Sequence, residues 1–561
     1  MPVTSLGKIV GSLSAKNHTQ IYLLFWFITF MLYLPAAKAG MVGDMPYLID
    51  SINNISFPDF LNNKGGTALY QVAALNFYIL IKLFGTNLWL WYLFYITMHS
   101  FIGILLFKFF SRLLTDSKID RAHELSFLAV ILFLVCPHAS EVVVWKASNH
   151  HSVATAIIFI ILLYVQKFLN TPKPSYALLT SCLFFYSLFS HEFFYLTPWF
   201  VLVLICYYSI ALGYEKAIIR KSFLYFFLPF LLLFIFHLVL LQLVKHTYIS
   251  HFGKLEKMSA FYYLDKPLKY LFHVLFMGRY FPADWRNKVY AICALNSTII
   301  IFYSILLCFW GYIVFRFKQV GKKLKILALI SVYLLIIYLF LSPVSFADSM
   351  LVTYDRYVYP SLGFAALFVI LLISLVPFKI MRVALIAGYA IINIWLTMKV
   401  NIYWKHSAYI VNRLLTDFPD PGNKIVLLLN LPDDLHGVPM ISAEHDGRFK
   451  KMENALTGHR YTGKIYDVAA YNMISTDDGA HVIIANDSTI HVTLNQWGTW
   501  WLHGLWGAES YSTDDFSLNM IDEGHWYELT LKHPANQYLL LYQVGAQWKV
   551  VDWNKKNLDQ Y

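Results

Sequence analysis

The feature that most constrains this chain is a succession of apolar runs through its first 400 residues. A run of about 20 residues crosses the ~30 Å hydrocarbon core of a bilayer as one helix. About eleven such runs can be read, at roughly 21–38, 87–111, 125–136, 152–169, 176–190, 194–212, 222–243, 289–315, 326–342, 357–376 and 383–399. The third and fifth are short, so the chain around them is expected to re-enter or tilt. Lipid offers no partner to a bare N–H or C=O, and a helix pairs its own. The expectation is a polytopic α-helical membrane protein, with a domain boundary at residue 400.

Composition agrees. Hydrophobic residues make up 58% of the 561 residues and charged residues only 14%, against ~25% in a soluble globular chain. The net charge is +11, but much of the surplus lies in short loops between apolar runs, where membrane topology places it. That argues against nucleic acid as a partner. With the N-terminus taken as cytoplasmic, the inside loops hold Lys8 and Lys16; Arg112, Lys118 and Arg121; Lys173; Lys216, Arg220 and Lys221; Arg316, Lys318, Lys322, Lys323 and Lys325; Lys379 and Arg382. An odd number of spans then puts residues 401–561 outside. One outside loop, 244–288, departs from the rule, with Lys245, Lys254, Lys257, Lys266, Lys269, Arg279, Arg286 and Lys288. Either a long loop escapes the rule, or this surface meets phosphate such as a lipid headgroup. Its stretch 263–280 is amphipathic and suits a helix lying at the membrane interface. Pro35 to Gly40 offers a small-residue cleavage pattern after an apolar stretch, but the preceding region is long and only weakly basic.

After Val400 the pattern changes. Residues 417–423 (DFPDPGN) read as a linker and turn. The segments 424–430, 481–485, 489–494, 526–532 and 537–544 read as strands, so a β-rich or α+β domain is expected over 401–561. It holds Trp497, Trp500, Trp501, Trp506, Trp526, Trp548 and Trp553, suited to sugar stacking or to a packed core. The five cysteines, Cys136, Cys182, Cys206, Cys293 and Cys308, lie in or beside apolar runs without a metal or disulfide spacing.

Ionisable residues near the ends of spans are expensive and point to function. Asp44 follows the first span. Lys146, His150 and His151 precede the fourth. His191 and Glu192 fall where the fifth and sixth meet almost without a loop, and a carboxylate there needs a partner. Tyr354, Asp355, Arg356 and Tyr357 enter the tenth, with Pro360 suited to a first helical turn. Arg356 presents a planar fork to phosphate or carboxylate; its ordinary reading is a salt bridge to Asp355 or another loop carboxylate. The two histidines and Glu192, with Asp44, could hold a divalent metal, but the spacing is no recognised metal motif, and contacts to a sugar or phosphate or plain structural pairing are the other readings. No cofactor is therefore expected. His99, inside the second run, reads as a packing residue.

These residues, in this order, resemble a GT-C-fold membrane glycosyltransferase, nearest to the protein O-mannosyltransferase-like and transmembrane O-mannosyltransferase-like branches. The likeness is carried by 66–114, similar to an amphipathic helix, "FGxN" turn and His-containing span; by 145–156 and 189–198 (FSHEFFYLTP), where the family often has "KE" and this chain has His191-Glu192; and by 354–363 (YDRYVYPSLG), similar to "RYLYLPSxG". Two departures stand out: Gly43-Asp44-Met45 is not a pair of acids, and the C-terminal domain is neither a TPR array nor a β-trefoil.

The resemblance implies an inverting transfer of a sugar from a polyprenyl-phosphate lipid donor to a hydroxyl of a protein or glycan acceptor. Asp44 would be the general base. Arg356, with Arg279 and Lys146 behind it, would meet the donor phosphate, and His150, His151, His191, Glu192, Tyr354 and Tyr357 would contact substrate. Membrane lipids are the other expected partners, and a bacterial inner membrane the expected setting. A lipid-linked glycan flippase or transporter would show pseudo-repeats and charges along a path through the bilayer. A glycan polymerase or ligase, or a non-catalytic assembly protein, are the remaining alternatives.

Overall fold

The structure is a computed structural model, which describes residues 18–63, 69–246, 263–316, 318–343, 351, 354–441, 447–458, 461, 463–495, 499–501, 510–522 and 526–553. Lys8, Lys16, Lys254, Lys257, Gly66, Trp497 and Trp506 lie outside them. The chain divides into two units. The first comprises residues up to Leu34, Leu61–Leu80 and Leu90–Lys399; the second comprises Pro35–Phe60, Ile81–Trp89 and Val400–Tyr561.

The first unit is helical. Nine helices among the described residues are long and apolar enough to cross a membrane: His18–Ala36, Leu88–Asp116, Lys146–Asn170, Glu192–Ile210, Lys216–Lys245, Asn296–Phe315, Lys322–Leu341, Asp355–Ile373 and Lys379–Thr416. The pair Ala122–Leu134 and Pro137–Val144, bent by 57°, passes the same test only when taken together, which brings the number to ten when it is counted as one span. The count differs from eleven for local reasons. At the third run Pro137 cannot continue the preceding helix, and the chain bends there. The fifth run is only the 15-residue helix Pro174–Leu188, ended before the polar Ser190, His191 and Glu192. The eighth still gives one span, Asn296–Phe315, though the chain breaks after Cys293 and Ala283–Cys293 is a separate helix. Within Lys216–Lys245, a π-helical stretch Phe223–Phe227 precedes Pro229, whose missing N–H disturbs the regular ladder.

Several of these helices expose large apolar side chains. Ile300, Ile301, Ile305, Leu307 and Val314 of Asn296–Phe315 are each more than half exposed. Such a continuous apolar face is poorly matched to water and matches lipid. Inside the unit, packing is close. A Cβ added at Gly363 would lie 2.6 Å from Leu106 Cδ2, so the helices Asp355–Ile373 and Leu88–Asp116 meet where one residue has no side chain. His99 is a buried tie, with Nδ1 2.7 Å from the Tyr359 hydroxyl.

The expected interface helix needs correcting. Residues 263–280 include the helix Lys266–Leu275, but Lys266, Lys269 and His273 are buried in it. Lys269 pairs with Asp265 at 2.7 Å, and the Tyr270 ring stacks on Tyr338 at 5.3 Å. Its polar residues find partners inside the protein.

The second unit is β-rich. One sheet runs in the order Gln547–Val550, Tyr538–Val544, Ile425–Leu428, Ile465–Asp467. Ile425–Leu428 is parallel to both neighbours, with Ile425 opposite Tyr538 and Val426 opposite Ile465. A central parallel strand is covered on both faces, which explains its unbroken apolar run. A second, antiparallel sheet runs His481–Ile484, Thr489–Thr493, Trp526–Leu531, Phe516–Asp522, Ser510–Ser512. A third runs Val438–Pro439, Leu431–Leu435, Ala469–Met473, Thr499–Trp501. The helix Arg448–Thr457 and the short helix Met45–Asn54 belong to the same unit. The helix Lys379–Thr416 continues 16 residues past the expected boundary, and the turn at 417–423 follows it, with Gly422 at φ 57°.

Candidate functional site

Four helices of the first unit begin in a tight 3-10 turn that carries polar residues. These turns are Pro137–Ala139, Lys146–Ser148, Glu192–Leu196 and Asp355–Val358. Helix starts leave backbone N–H groups without an intrahelical acceptor, and a 3-10 turn is common there.

Asp355 is buried and anchors one group. Its Oδ2 accepts from Arg279 Nη1. Its Oδ1 accepts from His138 Nδ1 at 2.9 Å and from His273 Nε2 at 2.7 Å. His138 Nε2 also lies 3.0 Å from the His273 carbonyl oxygen, so each His138 ring nitrogen faces an oxygen. Burial pushes His273 down to about 4, with His138 adding to the effect. Burial works against the Arg279 charge as well, but Asp355 outweighs it and holds the guanidinium above its ordinary range.

Arg356 takes a different partner. Glu141 Oε1 accepts from its Nη1 at 2.5 Å, and Oε2 accepts from its backbone N–H at 2.8 Å. The guanidinium lies over Trp145, Tyr354 and Tyr357, at 4.8, 4.2 and 4.9 Å from their ring centroids, where cation–π attraction adds to the pairing. Of the two ordinary readings, Asp355 or another carboxylate, the structure gives the second, Glu141. Adjacent residues in a 3-10 turn point to different sides, and each meets the opposite charge on its own side.

The third group is histidine. His150 and His151 stand in the first turn of Asn149–Asn170, and His191 is the extended residue before Glu192–Leu196. Their rings lie 4.3 Å (His150–His151), 5.0 Å (His150–His191) and 5.0 Å (His151–His191) apart. His191 Nδ1 accepts from the Phe193 backbone N–H at 3.2 Å and lies 3.9 Å from Glu192 Oε2. His151 meets the Tyr357 ring at 5.7 Å, which links this group to Arg356. Lys146 is buried, with Nζ donating to the Val144 carbonyl at 2.9 Å. Its own carbonyl accepts from Tyr95 at 2.6 Å.

The structure thus gathers Lys146, His150, His151, His191, Glu192, Arg279, Tyr354, Arg356 and Tyr357 in one unit; contacts run from Arg356 through Tyr357 and His151 to His191 and Glu192, and Arg279 binds Asp355, the neighbour of Arg356 in the chain. Asp44 is in the other unit. It stands before the helix Met45–Asn54 and after Gly43 at φ 61°, whose N–H donates to Met440 at 2.7 Å. Its Oδ1 accepts from Arg448 Nη1 at 2.9 Å, and Arg448 lies over Tyr47. Trp548 packs against Phe418 and Phe449 and donates to the Leu414 carbonyl at 2.7 Å, so it is a half-buried packing residue rather than an exposed platform.

Sequence reasoning missed His138, Glu141 and His273. The usable signal was Pro137-His138 and then Glu141 inside an otherwise apolar stretch, since a lone acid there needs a cation. Chemically, the site offers two buried guanidinium–carboxylate pairs, three clustered imidazoles and a rim of tyrosine and tryptophan. Compared with known proteins, the chain matches no protein-family model and no curated protein.

Proposed function

We propose that this protein is an integral-membrane inverting glycosyltransferase of GT-C type, moving a sugar from a polyprenyl-phosphate donor to an acceptor hydroxyl on a protein or glycan. The observation that carries the reading is the connected buried cluster of ionisable side chains in an apolar helical unit, from Arg279 and Asp355 through Glu141 and Arg356 to the histidines. Charges are costly in such surroundings and are retained for a task. The resemblance of 354–363 and 189–198 to GT-C motifs names the task.

In this reading the leaving group is a lipid phosphate, and fixed cations stabilise the charge it gains. Arg356 would do so while sharing its fork with Glu141, since a guanidinium has five N–H donors. The rings of Tyr354, Tyr357 and Trp145 would border the sugar. Asp44 is the proposed general base, taking the acceptor proton as the hydroxyl attacks the anomeric carbon. The setting is a bacterial inner membrane, N-terminus inside and the β-rich unit outside.

The test uses purified wild type and Asp44→Asn, each offered a panel of polyprenyl-phosphate sugars with cell-extract glycans or peptides. Release of polyprenyl phosphate by wild type alone supports the transferase and names the sugar. Equal release by both removes Asp44 from the chemistry and moves attention to Glu192. Transport of a lipid-linked glycan without any release would favour the flippase.

A further inference from the structure

The three histidines at the starts of Asn149–Asn170 and Glu192–Leu196 do something the transferase reading does not require. We infer that His150, His151 and His191 form a binding site for one divalent transition-metal ion of the zinc class. This goes beyond the proposed function and does not rest on it.

One ring nitrogen from each histidine lies within 4.8 Å of the other two. Nitrogens around one tetrahedral ion sit about 3.3 Å apart, since Zn–N is ~2.0–2.1 Å. Closing the difference takes a side-chain adjustment of about 1 Å at each ring, within reach of small χ changes.

The second observation is His151. It is completely buried, and neither of its ring nitrogens has a hydrogen-bond partner among the described residues. Leaving a buried donor and acceptor bare costs about 1–3 kcal/mol each. A metal on one nitrogen satisfies the lone pair.

The surroundings suit a ligand set. His191 Nδ1 faces both the Phe193 N–H and the Glu192 carboxylate. Metal on Nε2 requires the tautomer with the proton on Nδ1, so the ring must give up the Phe193 N–H and turn its Nδ1–H toward Glu192, 3.9 Å away; a carboxylate behind a metal-bound histidine is the usual outer partner. Tyr70 and Phe193 stack on the His191 ring at 6.2 and 4.8 Å, fixing its plane. Arg356 touches the Tyr357 ring beside His151, but Glu141 already neutralises it. Imidazole donors select zinc, copper, nickel or iron over magnesium and calcium. Three histidines leave one position for water or a substrate oxygen.

The other histidine group lacks these features. His138 has both nitrogens engaged, and Asp355 is already shared with Arg279, whose charge would repel a cation.

The experiment uses full-length protein in detergent, its affinity tag removed, stripped with chelator and titrated with cobalt(II). The expected result is one cobalt per chain with visible d–d bands, displaced by zinc but not by magnesium. His151→Ala and His191→Ala, if monodisperse, should each weaken binding at least tenfold. Copper(II) on wild type, read by paramagnetic resonance, should show coupling to three nitrogens, which decides the matter even if the variants do not fold. Failure of folded wild type to bind cobalt or zinc stoichiometrically, or wild-type affinity in a folded His151→Ala, overturns the site. So does copper without multiple nitrogen couplings.

Discussion

Glu141 holds Arg356 twice, with Oε2 on the backbone N–H at 2.8 Å and Oε1 on the guanidinium at 2.5 Å. Both residues are buried or nearly so, at 4% and 14% side-chain exposure. Removing one partner strands the other charge, at a cost of about 3–5 kcal/mol. Glu141→Ala and Arg356→Ala should therefore each lower the melting temperature in detergent markedly. The pair replaced together, Glu141→Leu with Arg356→Met, should recover much of the loss. A loss in the double replacement equal to the sum of the two single losses would show that the two residues act independently.

His273 gives a pH dependence with a definite sign. Its folded-state value is about 4, against an ordinary 6.5. Between those values the unfolded chain binds a proton at this position and the folded protein does not, so stability falls as pH drops through that window. The shift corresponds to roughly 3 kcal/mol at most. In His273→Gln, which keeps an N–H for Asp355, melting temperature should fall less steeply between pH 6.5 and 4. Identical slopes would remove His273 as a contributor.

The long apolar helices and the strands at 481–485, 489–494, 526–532 and 537–544 were legible because their signal is local. Hydropathy over 20 residues, or alternation over five, needs no knowledge of the rest of the chain. The ion pairs were not legible for the opposite reason. Glu141 and Arg356 are 215 residues apart, and Arg279 and Asp355 are 76 apart. Asp355 and Arg356, neighbours in sequence with opposite charge, left the partner of Arg356 open between Asp355 and a distant carboxylate, and it is Glu141. The amphipathic pattern of 263–280 was read correctly as a helix with one polar side, but periodicity does not say whether that side meets water or a buried Asp265. The strands Ile465–Asp467 and Leu431–Leu435 are short and carry aspartates, so no alternation marks them.

Asp44→Asn, the variant on which the transferase test depends, should fold. The amide oxygen can still accept from Arg448, and Asp44 is 37% exposed, so water screens much of the charge interaction. Arg448 is buried and loses its counter-charge, so the expected cost is about 1–3 kcal/mol. A melting temperature within a few degrees of wild type would make its loss of transfer a statement about chemistry. Collapse of the variant would mean that the Arg448 contact is structural.

Gly363 tests the packing between two apolar helices. The Cβ of any other residue would meet Leu106 Cδ2 at 2.6 Å, closer than two carbons tolerate. Leu106 is itself fully buried, so its methyl group has little space to retreat into. Gly363→Val should cost about 1–3 kcal/mol, the usual range for overpacking. Leu106→Ala alone should also destabilise, by leaving a void. Placed together, the added and removed volumes offset, and the double variant should melt above Gly363→Val. If it instead melts at the sum of the two losses, the two side chains do not share the space the structure gives them.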